Sequence, residues 1–361
     1  MEADYDLIIA GAGPAGTACA ITAARSGARV LLLDKDSFPR QKVCGEFVSA
    51  ESLKLLRSLL MNDPFEKVPQ ITSARVFLDG RKIELAVSPA ARSIPRFDLD
   101  ASLIQAARAA GVEVSEEATV REISSPGIFE VRTHAKTFCG KAVVNATGRW
   151  SELTRFAAAD NQRWIGLKAH FDEVRPPLSV DLYFFDGGYC GVQPVSDISV
   201  NVCAMVRATA ATRLQDVFRL HPGLEARSNN WKQRFPAVTT SALYFRIPKT
   251  EERGAFLAGD SAAFIDPFAG DGISLALHSG TAAAECALKF VKGQCSLPMA
   301  QEQYKDWYRS QLAPVLRNAA LLRRLLAAPH WVRSVLMVIA GNRRVREMMV
   351  RSTRIRRIPE P

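Results

Sequence analysis

The chain has 361 residues, of which 48% are hydrophobic and 23% charged, and its formal net charge is +10. These values are ordinary for a globular protein with room for two domains, so they exclude a disordered chain. No apolar run reaches the roughly 18 residues that a membrane-spanning helix needs, and the first apolar run is predicted as a strand rather than a signal peptide.

The first predicted elements form a strand–turn–helix unit that binds a dinucleotide. A buried strand over residues 5–10 leads into the turn Gly11-Ala12-Gly13-Pro14-Ala15-Gly16. Gly11 makes the tight turn, Gly13 lets the backbone approach a pyrophosphate, and Gly16 lets the following helix pack on the strand. The N-terminus of that helix offers free N–H groups and a positive dipole to the phosphates.

The next strand ends in an acidic residue at the position that such a unit requires. The helix is predicted to stop at Ser26-Gly27, and a strand over residues 28–33 leads to Asp34, 23 residues after Gly11. A carboxylate there accepts hydrogen bonds from the ribose hydroxyls of an adenosine and repels a 2′-phosphate. Residues 1–60 are therefore predicted to start a doubly wound domain and to continue as a loop.

A second glycine-rich fingerprint lies about 250 residues after the first. It begins as Gly259-Asp260-Ser261 and continues through Pro267 to Gly270-Asp271-Gly272-Ile273, where a helix is predicted to begin and to run to about Lys292. A nicotinamide cofactor is held within one doubly wound domain, whereas FAD is longer and recruits a distant part of the chain. The two fingerprints predict one FAD per chain, bound non-covalently because no flavinylation motif is recognisable.

The segments between the fingerprints predict an α/β fold with a discontinuous cofactor domain. A hairpin is expected in residues 61–95, a helix from Arg96 to Ala110, and antiparallel strands in residues 160–250. We predict three units, which are a Rossmann-like FAD-binding domain (residues 1–60, 96–158 and 255–295), an α+β substrate domain on an antiparallel sheet (residues 61–95 and 159–254), and a basic helical C-terminal segment (residues 296–361).

The seven cysteines indicate the redox environment. Their number is odd, they are scattered, and no two form a Cys-x-x-Cys pair. This pattern argues against a zinc site and against a disulfide framework, so no metal site is predicted. It favours the reducing cytoplasm.

Five motifs, in this order, resemble the geranylgeranyl reductase family, which lies within the p-hydroxybenzoate-hydroxylase-like flavoproteins. The resemblance covers roughly residues 5–295 and implies a flavin site between a Rossmann-like domain and an antiparallel substrate sheet. The motifs are Gly11–Gly16, Arg40-Gln41-Lys42-Val43-Cys44-Gly45, Arg96-Phe97-Asp98, Asn145-Ala146-Thr147-Gly148 and Gly259-Asp260 with Pro267 and Gly270-Asp271-Gly272.

The resemblance implies a role for individual residues around the cofactor. Asp260 would accept a hydrogen bond from a ribityl hydroxyl, and the backbone from Gly270 to Ile273 would bring a helix N-terminus to the N1/O2 edge of the flavin. Arg40 and Arg96 would contact the cofactor or its phosphates. The expected FAD contacts are Gly11, Gly13, Pro14, Ala15, Gly16, Asp34, Lys35, Arg40, Cys44, Gly45, Arg96, Val120, Thr147, Gly148, Gly259, Asp260, Pro267, Gly270, Asp271, Gly272 and Ile273.

Cys44 and Tyr189 are the candidate catalytic residues. In similar reductases the Lys-x-Cys-Gly loop lies near flavin and substrate, so Cys44 would tune or protonate the reacting carbon, and Lys42 and Arg40 would favour its thiolate. The alternative is a small residue that packs the loop. Tyr189 retains the first position of the family's Tyr-x-Trp, but Gly191 occupies the tryptophan position, which predicts a differently shaped pocket.

His170 and His278 show no recognisable partner pattern in the sequence, and we interpret both as structural.

Three classes of function remain open. The first is a reductase or dehydrogenase that acts on a carbon–carbon bond of an apolar, isoprenoid- or polyketide-like substrate. The second is a monooxygenase, although Thr147 replaces the acid of the hydroxylases' Ala-Asp-Gly, and the halogenase Trp-x-Trp-x-Ile-Pro motif is missing. The third is a non-catalytic electron carrier. No second Rossmann unit is visible, so NAD(P)H or another electron donor would bind transiently.

The C-terminal end carries almost all of the positive charge. Residues 311–361 hold eleven arginines against two glutamates, which gives +9. Leucines from Leu316 to Leu326, and apolar residues from Trp331 to Ile339, recur at helical spacing between the arginines. This helix pair would cap the protein's own core, lie on an anionic membrane, or dock an acidic carrier protein. No nucleic-acid partner is expected, and the membrane alternative predicts a peripheral cytoplasmic protein.

Overall fold

Two eight-stranded sheets and their flanking helices form the described part of the chain. The computed structural model describes residues 3–125, 128–149, 163–240, 248–264 and 270–326, together with residues 153, 243, 328–330, 333, 335, 342 and 355. The strands are β1 (Tyr5–Ala10), β2 (Val30–Leu33), β3 (Phe47–Val48), β4 (Gln70–Leu78), β5 (Arg81–Ser93), β6 (Glu113–Ser115), β7 (Glu122–Ser124), β8 (Phe129–Arg132), β9 (Thr137–Asn145), β10 (Trp164–Asp172), β11 (Ser179–Phe185), β12 (Gly188–Ser196), β13 (Ser199–Arg207), β14 (Val238–Thr239), β15 (Glu251–Glu252) and β16 (Ala255–Leu257). The helices are α1 (Pro14–Arg25), α2 (Ala50–Leu60), α3 (Arg96–Ala109), α4 (Leu214–Phe218), α5 (Pro222–Ser228), α6 (Gly272–Val291), α7 (Leu297–Gln311) and α8 (Ala313–Leu326).

The first sheet is the Rossmann-like sheet that the sequence predicts. Its main path is β15-β16-β9-β1-β2-β6, and the pairs from β16 to β6 are parallel. Residues 7–10 of β1 are fully buried because helices cover one face of the sheet and the β7–β8–β9 ribbon packs on the other. The carboxyl ends of these five parallel strands meet at one edge, where a doubly wound fold binds its ligand.

Helices α1 and α6 cross at backbone contact behind that edge. A Cβ atom at Gly280 of α6 would overlap the carbonyl oxygen of Ala15, and one at Gly16 would overlap that of Gly11. Only glycine permits approaches this close. The first glycine fingerprint is therefore packed directly against the helix that follows the second one.

The second sheet has the order β14-β10-β13-β12-β11-β4-β5-β3, and all of its pairs are antiparallel except β4 with β11. One face packs on α4, α5 and their loops, with Phe171, Phe218 and Trp231 in ring contact. The opposite face is polar along β10 and β13, where Lys168 lies opposite Cys203 and His170 opposite Asn201. Since side chains alternate between faces, these four residues point together towards the loop that contains Cys44.

Residues 50–60 were predicted to be part of a loop, but in the structure they form helix α2. Leu53, Leu56, Leu59 and Leu60 are buried at helical spacing, and Met61 ends the helix in a left-handed conformation with φ of 60°. The short helices α4 and α5 were also not predicted. The chain changes sheets four times, at β3, β6, β10 and β15, so residues 47–48 belong to the second sheet and residues 251–252 to the first.

The C-terminal part is helical where the structure describes it. Helix α8 contains the predicted leucine spacing from Leu316 to Leu326, whereas the predicted second helix and the arginines from Arg343 to Arg357 lie outside the described residues. Ile355 is buried against the core of the first sheet. None of the helices within the described ranges is both long and apolar enough to cross a membrane.

Candidate functional site

A cavity of about 460 Å³ runs along the carboxyl ends of β1, β2, β9 and β16. It brings together both fingerprints and the loop between β2 and β3, which are far apart in sequence. The predicted cofactor contacts that line it are Gly11, Gly13, Pro14, Ala15, Asp34, Lys35, Arg40, Cys44, Gly45, Arg96, Val120, Thr147, Gly148, Gly259, Asp260, Gly270, Gly272 and Ile273.

Three of the predicted site residues that the structure describes do not line this cavity. Gly16 lies behind it and packs against Gly11, and Asp271 is fully buried as the residue that precedes α6. Tyr189 is 7% exposed and packs with Met205 in a small core on β12 and β13. Pro267 lies outside the described residues.

The end of the cavity near α1 is organised around Asp34. Its carboxylate accepts a hydrogen bond from Ala12 N at 2.6 Å and another from Arg40 Nη1 at 2.8 Å. Arg40 also pairs with Asp36, to which Lys42 Nζ donates at 2.8 Å. The acidic residue at the end of the second strand is thus held in a fixed orientation by the turn and by the loop.

A chain of alternating charges continues from this end towards Cys44. Arg40 Nε lies 3.7 Å from Asp100, which receives two hydrogen bonds from Arg96, both at 2.7 Å. Burial by itself would lower the pKa of Arg96, but Asp100, with a further contribution from the Cys44 side chain, holds this pKa above its ordinary value. Arg96 is therefore a permanent cation beside the thiol.

The cations that interact with Cys44 differ from those predicted. Arg40 and Lys42 are engaged by Asp34 and Asp36, whereas Arg96 interacts electrostatically with the Cys44 side chain. The charge of Arg149 also acts on this thiol. Arg40 and Lys42 are the cations nearest to Cys44 in the sequence. In the structure they pair instead with the carboxylates of Asp34 and Asp36.

A buried network behind Cys44 was not predicted at all. Glu46 and Lys168 are fully buried and form an ion pair, and His170 Nε2 lies 2.8 Å from the second oxygen of Glu46. His170 therefore has a carboxylate partner. Burial by itself would raise the pKa of Glu46, but the His170 hydrogen bond and the Lys168 charge hold it below its ordinary value. The sequence pattern that could have indicated this network is the pair Lys168 and His170, which lie two residues apart in the mostly apolar strand β10.

Arg149 is a second residue that the motifs did not single out. Its Nε lies 2.9 Å from a carboxylate oxygen of Asp260 in an ion pair, and its guanidinium carbon lies 3.6 Å from the centre of the Phe264 ring. Burial lowers the pKa of Arg149, and the charge of Asp260 offsets part of this effect. The acid expected at the ribityl chain therefore also neutralises a buried cation in the wall of the cavity.

The residues that line the cavity fit FAD in their chemistry. The N-termini of α1 and α6 both open onto it, and a Cβ atom at Gly13 or Gly272 would meet no atom within 4 Å, so the backbone at each end is free to approach a ligand. Asp34 stands at one end and Asp260 lies in the same wall as Gly272. These residues would hold the adenosine, pyrophosphate and ribityl parts of the cofactor.

Known proteins share both the sequence and the fold. A family model for FAD dependent oxidoreductases matches residues 6–50. Digeranylgeranylglycerophospholipid reductase 1 from Methanococcoides burtonii is 30% identical over 354 residues, which cover 90% of this chain and 84% of that relative.

Two solved structures extend the comparison to the fold. The flavin-dependent brominase Bmp2 superimposes with a TM-score of 0.81 at 21% identity and covers 97% of this chain and 93% of its own. A geranylgeranyl bacteriochlorophyll reductase-like protein from Thermoplasma acidophilum gives a TM-score of 0.74 at 20% identity, with 98% and 93% coverage. At these identities the likeness shows a common fold.

Proposed function

The chain belongs to the geranylgeranyl reductase family of FAD-dependent oxidoreductases, and we propose on this basis that it reduces carbon–carbon double bonds of an isoprenoid lipid. The observation that carries the proposal is the position of Cys44. Cys44 lines the same cavity as both glycine fingerprints, and the charge of Arg96, which lines this cavity too, acts on its side chain. A group that exchanges protons thus lies in the wall of the predicted flavin site.

The reaction needs a hydride for one carbon of the double bond and a proton for the other. The FAD that this cavity would hold would supply the hydride when it is bound in its reduced form. Cys44 is placed to deliver the proton, which it regains from solvent after each turnover. The apolar side chains of Val43, Phe47 and Ile273 line the cavity and exclude water from the reacting carbons.

The reducing equivalents come from a transiently bound donor in this proposal. NADPH, NADH or a protein carrier would supply two electrons and a proton for each double bond that is saturated. Anaerobic mixing with NADPH, NADH and dithionite in parallel identifies the donor from the bleaching of the flavin absorbance. Dithionite serves as the positive control, because it reduces any accessible flavin.

The decisive experiment supplies the reduced enzyme with a geranylgeranyl-bearing glycerolipid without oxygen. A gain of two hydrogens per double bond in the product supports the proposal, and the saturated phytanyl lipid is the matched control that must leave the flavin reduced. A product that forms only with oxygen and gains an oxygen atom would instead establish a monooxygenase. A flavin that is reduced and reoxidised only by another protein would establish an electron carrier.

We further propose that the protein works at the cytoplasmic surface of a membrane, where its lipid substrate resides. Arg317 and Arg324 of α8 are exposed, and Leu321 between them is 56% exposed. Arginines beside an apolar side chain suit the headgroup region of an anionic bilayer. A carrier protein that presents the substrate is the alternative outcome of the binding test described below.

A further inference from the structure

Three ionisable side chains are buried together between the second sheet and the loop that contains Cys44. Glu46 and Lys168 are fully buried and His170 is 9% exposed. Buried charges are costly to desolvate, and an apolar set of similar volume often stabilises a fold equally well. The stability of the fold therefore does not explain why these three ionisable side chains are buried together.

Glu46 is fixed through both its side chain and its backbone. Its carboxylate pairs with Lys168, lies 2.8 Å from His170 Nε2, and accepts the Arg96 backbone N–H at 2.8 Å. Its carbonyl oxygen accepts from Ile94 N at 2.8 Å. The residue adopts a left-handed conformation, with φ of 62°, that a non-glycine residue holds only where its surroundings impose it.

The same contacts reach Cys44 two residues earlier. Glu46 N donates to Cys44 Sγ at 3.3 Å, so the left-handed turn at Glu46 determines where the thiol points. Asn201, which lies opposite His170 in the β10–β13 pair, donates to the Cys44 carbonyl oxygen at 3.0 Å. Lys168 Nζ also donates to Gln41 Oε1 at 2.9 Å, so the loop is held before and after the cysteine.

We propose that Glu46, Lys168 and His170 are positioning residues that hold the Cys44 thiol in the cavity. Side chains on the polar face of the second sheet thus fix the position of the Cys44 thiol, which lies in the cavity at the edge of the first sheet. This role rests on the proposed function of Cys44, but the position of the loop can be measured without any substrate. Misplacement of a reacting group by about 1 Å costs on the order of 100-fold in rate.

The test compares variants of this network with a matched ion network in the same sheet. Lys168→Met and His170→Gln each remove one contact of Glu46, and Lys168→Arg restores a cation. The control is Arg227→Met, because Arg227 is a largely buried arginine that pairs with Asp181 and Glu173. Hydrogen exchange of the 41–46 peptide in the FAD-bound protein is the substrate-free measurement, with β10 and β13 peptides as internal standards.

We expect the rate of hydrogen exchange in residues 41–46 to rise on the order of 10-fold in Lys168→Met and in His170→Gln. The rate should return to the wild-type value in Lys168→Arg and should stay unchanged in Arg227→Met. With substrate, kcat should fall on the order of 10-fold while KM is retained. Unchanged exchange in both network variants, or an equal rise in Arg227→Met, overturns the proposal. If no isoprenoid lipid is reduced by the wild type, the proposed function fails while the exchange result still decides the positioning role.

Discussion

Arg40 Nη1 lies 2.8 Å from Asp34 Oδ1, so the acid that ends the second strand is already bound to a cation from the loop that contains Cys44. One loop thereby contacts both regions of the cavity, through Arg40 at the adenosine end and through Cys44 at the thiol. The orientation of the ribose-binding carboxylate and the position of the candidate proton donor therefore depend on the same five-residue segment, from Arg40 to Cys44.

Arg40→Met should weaken FAD binding because it releases Asp34 and removes a cation from the cavity. We expect the Kd for FAD to rise on the order of 10-fold, which corresponds to about 1.4 kcal/mol. Titration of the apoprotein with FAD measures the effect. Arg57→Met is the control, since Arg57 pairs with Asp63 away from the cavity and should leave the Kd unchanged.

Gly280→Ala and Gly13→Ala should separate folding from cofactor binding. A methyl group at Gly280 overlaps the Ala15 carbonyl and forces α1 and α6 apart, so the apoprotein should lose about 1–3 kcal/mol of stability. A methyl group at Gly13 meets no protein atom, but it would obstruct the pyrophosphate, so only FAD affinity should fall. Urea denaturation of both apoproteins, combined with FAD titration, distinguishes the two effects. Equal stability of the two variants would contradict the role given to the helix crossing.

Cys44→Ser should leave the FAD content intact while reoxidation of the reduced enzyme by its lipid slows on the order of 100-fold, as expected for a lost proton donor. Anaerobic stopped-flow absorbance follows the reoxidation. Cys295→Ser, at a partly exposed cysteine after α6, is the matched control and should react like the wild type. A wild-type rate in Cys44→Ser would assign Cys44 to packing of the loop.

His278 should make stability depend on pH in the acid range. Burial lowers its pKa from 6.5 to about 4, so between these values the unfolded chain binds a proton that the folded chain does not. Its contribution is complete above pH 6.5 and is lost as the pH falls towards 4. The free energy of unfolding should therefore drop more between pH 7.5 and pH 5 in the wild type than in His278→Gln. His134→Gln, at an exposed histidine, should retain the full wild-type drop.

Replacement of Arg317 and Arg324 of α8, together with Arg343, by glutamine should release the protein from anionic vesicles at low salt, since each arginine contributes about 1 kcal/mol. A truncation is less informative because Ile355 packs on the core. Co-sedimentation with anionic and neutral vesicles, at low and at physiological salt, measures the contact. Glutamine at the exposed cations Lys82, Arg132 and Arg213 removes the same charge elsewhere and should leave pelleting unchanged. Equal pelleting of both triple variants would favour a carrier protein or a structural cap.

The cofactor and the architecture around it were determined by the sequence. Gly11 and Gly16 are required by a turn and a helix start within a few residues of each other, so the constraint is local and is visible in the chain. The same holds for Gly270 and Gly272 at the start of α6. The amphipathic spacing of α2 was equally local, and its leucines would have predicted that helix from residue 50 onward.

Only the tertiary structure decided which charges meet inside the site. Glu46 reaches Lys168 across 122 residues, and Gly148 reaches Ser261 across 113, in pairs that no spacing rule connects. Arg40 and Lys42 precede Cys44 in sequence, but Asp34 and Asp36 engage them, and the charges that act on the thiol are those of Arg96 and Arg149. The physical reason is that an ion pair depends on distance in space and on burial, and both are set by how the two sheets pack rather than by the order of residues along the chain.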